Sequence, residues 1–409
     1  MSRALITGMG VISPLGDSAA ELAAALAAGR SGLGPVELFD PGDLACREAG
    51  EVRRFEPRDY LGDGNLRPLD RTALLAASAA QLALADSRWT EEVRGGREMG
   101  LVLGTTFGSV HTIAAFDRRA LTAGPIYAKP LDFANSVINA AAGQTAIWHR
   151  LEGVNSTISG GTTSGVQALG YASDLIRNGR ATVLLAGGGE ELCYESFYGF
   201  DRCGLMAGSG DGGPPCAVPF DARRNGFVLA EGAALLMLED EATAAERRSP
   251  VRAEIRGWGM SYDPSRGREV ERAAQAVARA VRAALGDAGL PSSAIDAVSA
   301  SASGGVAADR AEARGLAAVL DHRPPVTAVK SMLGEGLGAS GALQTVALLQ
   351  AMESGVLPGV RGLEKLEDGM PPEMVAAGSR EVQIRRGLVT AVGLDGQAAA
   401  LVVERREGA

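Results

Sequence analysis

The side chains in this sequence whose types could do chemistry are few. Cys46, Cys193, Cys203 and Cys216 supply thiols, but no two of them form a Cys-x-x-Cys pair and none has a histidine as a sequence neighbour. A structural zinc needs clustered thiolate or imidazole donors, and a disulfide framework needs paired cysteines, so neither is expected. Free thiols suit a reducing compartment, and a cytoplasmic location is the expectation. Gly336-Leu337-Gly338-Ala339-Ser340-Gly341 matches G-x-G-x-x-G, the loop that can cradle a dinucleotide pyrophosphate. It lies late in the chain, without a clear ribose-binding acid on a following strand, which makes nucleotide binding a minor alternative.

The elements that must position any site are those of an α/β protein. With 409 residues and 46% hydrophobic content, the chain can bury one large core or two coupled ones. Short apolar runs, glycine-rich turns and alanine-rich helices alternate along it. Strands are expected at Ala4 to Ile6, Met99 to Leu103, Ala181 to Ala186, Ala233 to Leu238, Ala297 to Ala300, Val326 to Ala328 and Ala399 to Val403. Helices are expected at Ala19 to Ala28, Asp70 to Asp86, Gly165 to Arg177, Val270 to Ala288, Asp309 to Val319 and Ser340 to Glu353. The net charge of -9 argues against nucleic acid as a partner, because phosphate binding needs a cationic surface. Gly8 and Gly10 interrupt the first apolar run, which disfavours a signal peptide, and no stretch is long and apolar enough to span a bilayer.

The two halves share a layout. GLVLGTTFG near Gly104 and AVSASASGG near Ser303 each read as a strand ending in small residues, followed by helix-rich sequence. A duplication is inferred, with halves at 1–245 and 246–409 and the arginine-rich segment Glu239 to Pro250 as the seam.

Four segments carry a family resemblance: RALITGMGVISPLGDS at the start, PFDARRNGFVLAEGAALLMLEDEATA around Phe220 to Ala244, VTAVKSMLGEGLGASGA over Val326 to Ala342, and GLDGQAAALVV near the end. With these the chain resembles a β-ketoacyl synthase of the thiolase fold from end to end. The resemblance implies an α/β, thiolase-like architecture: two duplicated α/β halves forming a five-layered α-β-α-β-α core. Active members need a cysteine nucleophile at a helix N-terminus, where the dipole favours the thiolate, and two histidines that assist decarboxylation and stabilise the enolate. At the matching positions this chain carries Thr162 in ISGGTTSGVQALG, Ser303 in SASGGVAADRAEA and Glu335 in KSMLGEGLG. None of His111, His149 or His322 lies in a segment resembling the catalytic ones. Lys330, Asp309 and Glu312 survive as structural charges near the former site. The aromatic gate of the family's GFGG loop is replaced by Leu394.

A threonine hydroxyl needs an adjacent general base to attack a thioester, and a carboxylate at the second histidine position opposes a developing enolate. The resemblance therefore implies a chain-length factor: a non-catalytic subunit that forms a heterodimer with an active ketosynthase and helps set product length. In the family a loop and helix of one subunit close the floor of the partner's acyl tunnel; here that stretch runs from Gly104 through Phe133 and contains Phe107, Thr112, Phe116 and Phe133. For each aromatic, ordinary core packing is the competing explanation. No cofactor or metal is expected on the chain itself. The phosphopantetheine of a separate acyl carrier protein would act at the partner, in a type II system of separate proteins, and the absence of a glutamine at the Thr162 position points away from an aromatic-type system. Two rivals stand beside this: a decarboxylase or acyl hydrolase using Thr162 and Glu335, with Glu335 as base, and a homodimeric scaffold. For Glu335 the bland expectation is a pair with Lys330 or another cation, or exposure to solvent.

Overall fold

Missing side chains let helices and strands touch in this protein. The first strand of the central sheet, β1 (Ala4–Ile12), is buried along its whole length. A Cβ placed on its Gly10 would stand 1.9 Å from the Ala79 carbonyl oxygen of helix α1 (Arg71–Asp86). Backbone-to-backbone contact of this kind admits only glycine. The computed structural model describes residues 2–406 apart from 91, 92, 94, 95, 211, 212 and 369–374.

The other strands of the sheet are β2 (Gly100–Gly104), β3 (Asn155–Ile158), β4 (Val183–Glu190), β5 (Gly232–Asp240), β6 (Ala253–Tyr262), β7 (Ala297–Ser299), β8 (Val326–Thr327), β9 (Arg386–Val392) and β10 (Gln397–Arg405). Their spatial order is β8-β7-β9-β10-β6-β1-β5-β4-β2-β3. Read outward from the centre, the two halves are β1-β5-β4-β2-β3 and β6-β10-β9-β7-β8, the same order with every number raised by five. The directions repeat as well: β1, β5 and β4 pair antiparallel, and β4, β2 and β3 parallel. In the second half β6, β10 and β9 pair antiparallel, and β9, β7 and β8 parallel. The inferred duplication is thus present as a repeated topology, and the two strand ends that suggested it, near Gly104 and Ser303, belong to the equivalent β2 and β7 regions.

The remaining helices used below are α2 (Val110–Ala123), α3 (Ser164–Arg177), α4 (Tyr194–Arg202), α5 (Val270–Ala288), α6 (Val306–Ala317) and α7 (Ser340–Ser354). Helix α1 packs on β1, β5 and β4, and α5 on β6 and β10, while α3 and α7 lie between the halves and touch strands of both. This gives the layers α1, first half-sheet, α3 with α7, second half-sheet, α5, which is the thiolase-like five-layered arrangement. Being central, α7 is buried on nearly every side, as its apolar composition requires. The close-packing device recurs in the second half: a Cβ on Gly259 of β6 would meet Ala284 N of α5 at 2.6 Å.

Most expected elements are present, with shifted ends. Strands β3, β6 and β9 had not been anticipated. β3 is a short, half-exposed edge strand, and β6 carries Arg256 and two glycines that break an apolar run. The segment expected as a charged seam is no solvent-exposed linker. Glu239 is buried and accepts from Thr7 Oγ1 at 2.5 Å and Trp89 Nε1 at 3.2 Å, with Arg247 paired at 3.0 Å. Residues 241–247 form a helix, and β1 hydrogen-bonds β6 directly. Arg247 lies within this stretch, but Thr7 and Trp89, the other partners of Glu239 named here, come from far away in the chain.

Candidate functional site

Helices α3 and α7 begin side by side at the middle of the molecule, each entered through a 3-10 turn, Gly161–Thr163 and Leu337–Ala339. Gly161 has φ +60°, a left-handed conformation suited to glycine, and it sets Thr162 just ahead of α3. Thr162 is buried and its hydroxyl donates to the Val392 carbonyl at 2.9 Å. The position has the helix dipole that would favour a thiolate but holds nothing that ionises at neutral pH.

From there a chain of bonds crosses to the second histidine position. Val392 N donates to Ser301 Oγ at 3.0 Å, and the same oxygen accepts from Lys330 Nζ at 3.3 Å. Lys330 Nζ donates to Glu335 Oε2 at 2.7 Å, both side chains being buried. Glu335 Oε1 accepts from Ser340 Oγ at 2.7 Å and Leu337 N at 3.0 Å. The pairing of Glu335 with Lys330 is therefore as expected. It leaves both carboxylate oxygens committed to partners other than the Thr162 hydroxyl. General-base catalysis requires the base within hydrogen-bond reach of the proton it takes, and no such bond joins this pair among the described residues.

At the first histidine position Ser303 is half-buried, and its backbone N–H donates to Asp309 Oδ1 at 3.1 Å. Asp309 is wholly buried and also accepts from Phe220 N at 3.1 Å, with Arg224 Nε at 3.4 Å from its Oδ2. Burial raises its pKa above the ordinary carboxyl value, against the pull of Arg224 and these N–H groups. Glu312 accepts from Ser301 N at 2.8 Å and Thr390 Oγ1 at 2.5 Å through one oxygen, while its other oxygen has no hydrogen-bond partner. Burial pushes it up to about 7. Lys330, Asp309 and Glu312 thus bond to the loops around Ser301 and Ser303. Sequence reasoning passed over Ser301, Ser340 and Arg224, although Arg224 stands within the PFDARRNGF signature.

No imidazole joins this network. His111 Nδ1 lies 3.0 Å from Glu195, His149 Nε2 lies 2.9 Å from the Ala77 carbonyl, and His322 Nε2 lies 2.7 Å from that of Ile295. Burial also pushes the Cys46 thiol up to about 11 and the Cys193 thiol up to about 12, so neither is a thiolate at neutral pH. The glycine motif is no dinucleotide loop. Residues 337–341 are buried, a short helix rather than a strand precedes them, and Gly338 N donates to Glu190 Oε2 at 3.2 Å, where a pyrophosphate would have to sit.

Two cavities flank the centre. One of about 230 Å³ is lined by Ser303, Val306, Phe227, Leu205, Leu394 and Arg266 among others. Thr162 does not line it; the wall there is Val392 and Gly393. A second, of about 330 Å³, is lined by Phe107, Val110, Phe200, Cys203 and Leu205. Leu205 borders both, and the rings of Phe107, Phe200 and Phe227 run between them with centroids 5.9 and 5.5 Å apart. Phe200, Phe227 and Leu205 were not singled out from the sequence; the aromatic run of α4 was the available signal.

The stretch expected at a subunit contact is not core. No residue of α2 is buried; Phe107 is 39% exposed, Phe133 is 66% exposed, and Thr112 and Phe116 are half-buried. Phe116 and Phe133 face one another with ring centroids 6.1 Å apart. Ordinary core packing therefore does not account for these side chains.

The architecture and its central pair of helix starts define a ketosynthase-type fold. The family model for the β-ketoacyl synthase N-terminal domain matches residues 1–244 and that for the C-terminal domain matches residues 252–364. The chain belongs to the β-ketoacyl synthase family. It is 31% identical to the 3-oxoacyl-[acyl-carrier-protein] synthase 2 of Coxiella burnetii, covering 98% of each chain. Among solved structures it resembles the ishigamide ketosynthase/chain length factor, with TM-score 0.93, 31% identity and 99% of each chain covered. It also resembles a type II PKS acyl-carrier protein in complex with its ketosynthase bound to the hexaketide, with TM-score 0.86, 25% identity, and 99% and 100% of the two chains covered. The relatives bear the names of synthases, whereas the three positions of the condensing set here hold Thr162, Ser303 and Glu335.

Proposed function

We propose that this chain is a condensation-silent subunit of a type II polyketide-like or fatty-acid-like synthase, acting as a chain-length factor beside an active ketosynthase. The observation that carries the reading is the Lys330–Glu335 ion pair, locked by Ser340 and Leu337 where an imidazole would be needed, with Thr162 held on Val392. Enolate stabilisation requires donors aimed at developing negative charge, and the carboxylate is the wrong sign. Support also comes from the exposed apolar side chains Leu121, Ile126, Phe133 and Ile147, each between 66% and 87% exposed, and from the open edge strand β3. Exposed apolar patches of this kind mark protein contacts, and an open strand edge invites pairing. In this reading Phe116 and Phe133 enter the partner's tunnel floor, and the carrier protein's phosphopantetheine works at the partner's cysteine.

Co-expression with a cysteine-bearing ketosynthase homologue tests this. The two chains are expected to co-purify, and Phe116→Ala or Phe133→Ala is expected to shift the product distribution toward longer chains. A homodimer that ignores the synthase, or elongation of an acyl thioester by this chain alone, would overturn it.

A further inference from the structure

We propose that the protein binds a small diphosphate-bearing anion in an arginine-lined cavity at the end of the central sheet remote from Thr162. The cavity, of about 340 Å³, is lined by Arg256, Arg385, Arg386, Arg405, Arg406 and Glu404. Its floor follows from the sheet register: Arg386, Glu404 and Glu254 are cross-strand neighbours on β9, β10 and β6. Val392, at the other end of β9, belongs to the silent centre, so the two sites are separated by the length of a strand.

Charge counting separates this place from an ordinary ion-pair network. Glu404 is buried and draws Arg256, Arg385 and Arg386 to within 2.5, 3.2 and 2.9 Å. Glu254 takes Arg256 at 3.5 Å and Arg406 at 3.4 Å, and Asp296 accepts the backbone N–H groups of Arg385 and Arg386. Arg405 spends one Nη on the Met352 carbonyl at the end of α7. Five arginines and one carboxylate, Glu404, thus line the cavity, in a chain whose net charge is -9. Arg385 and Arg386 each reach Glu404 through Nε, and among the described residues their Nη groups make no hydrogen bond. Two adjacent guanidinium edges with free donors match the oxygens of a phosphate pair, since the planar fork binds phosphate bidentately. The volume is at the lower end of small-molecule sites, which suits a diphosphate and little more. Glu404 preorganises the cluster: its carboxyl is held below the ordinary value, burial being offset by Arg386 and Arg256, so it stays charged and keeps the arginines in place.

The test is calorimetric titration of the full chain with inorganic diphosphate, with ADP and inorganic sulfate titrated in parallel. Saturable binding of diphosphate, weaker for sulfate and for the bulkier ADP and weakening as salt rises, is expected. Arg385→Gln combined with Arg406→Gln is expected to weaken diphosphate roughly tenfold or more, because charge-assisted bidentate contacts are lost. Neither residue is the sole partner of a buried carboxylate, so the fold should persist. Should that variant unfold, Arg385→Lys serves instead: it keeps the charge, removes the fork and is expected to cost several-fold in affinity. Absence of saturable diphosphate binding to the native chain, equal affinity for sulfate, or unchanged affinity in a folded variant would overturn the proposal.

Discussion

At the scale of single residues, the centre beside α3 and α7 is held together by a buried charge pair. Lys330 and Glu335 are both buried, and removing one partner strands the other in a medium of low polarity. Glu335→Gln is therefore expected to destabilise the protein by about 3–5 kcal/mol, read from denaturant unfolding. Replacing the pair with Lys330→Met and Glu335→Leu together is expected to restore most of that loss. A decarboxylase using Glu335 would instead show its defect in carbon dioxide release with stability preserved. Thr162→Cys alone is expected to yield no condensation, measured as two-carbon extension of an acyl thioester by mass spectrometry, because Ser303 and Glu335 still replace the imidazoles. The substitutions themselves were legible in the sequence once aligned by motif, and so was the Lys330–Glu335 pairing. The bond from Thr162 to Val392 was not, since 230 residues separate the partners.

At the scale of elements, the end of β4, where it meets the entry to α2, carries two adjacent buried carboxyl groups. Glu190, at the end of β4, accepts from Thr106 N, Phe107 N and Gly338 N, and Glu191 accepts from His111 N at the start of α2. Burial raises Glu190 to about 7; burial, together with Asp70, Glu190 and Glu231 nearby, raises Glu191 to about 8. A carboxyl whose folded pKa exceeds its unfolded value favours the fold below the unfolded value and loses that contribution as pH rises through the folded one. Between about pH 4.5 and 8 these groups are therefore expected to lower stability progressively. Melting temperatures across that range should fall less steeply for Glu191→Gln than for the native chain. The helix-on-strand contacts make a separate prediction. Gly10→Ala would drive a methyl group into the Ala79 carbonyl at 1.9 Å, and a loss of about 1–3 kcal/mol or more is expected by thermal unfolding. The paired G-x-G of β1 and β6 was visible as sequence, but its reason required the helices to be in place.

At the scale of the whole molecule, Leu121 and Ile126 are exposed apolar side chains and β3 is an open edge strand. Leu121→Glu combined with Ile126→Glu is expected to abolish association with a ketosynthase partner in size-exclusion measurements. Both side chains are more than 85% exposed in the single chain, so its own melting temperature should stay within a few degrees. An intact complex in that variant would place the partner elsewhere.

The primary structure by itself determined the family, the repeated alternation of strands and helices, and the identities of Thr162, Ser303 and Glu335 at the motif positions, because these reside in local runs and residue identities. Only the tertiary structure decided which charge answers which: Glu239 with Arg247 and Trp89, Asp309 with Arg224, Ser301 between Val392 and Lys330. Apart from Glu239 with Arg247, such pairings join segments distant in sequence, and a buried polar group takes whichever partner the packed layers bring within reach. The same holds for the arginines around Glu404, which read along the chain as scattered surface charges and become one cavity wall only when β6, β9 and β10 lie side by side.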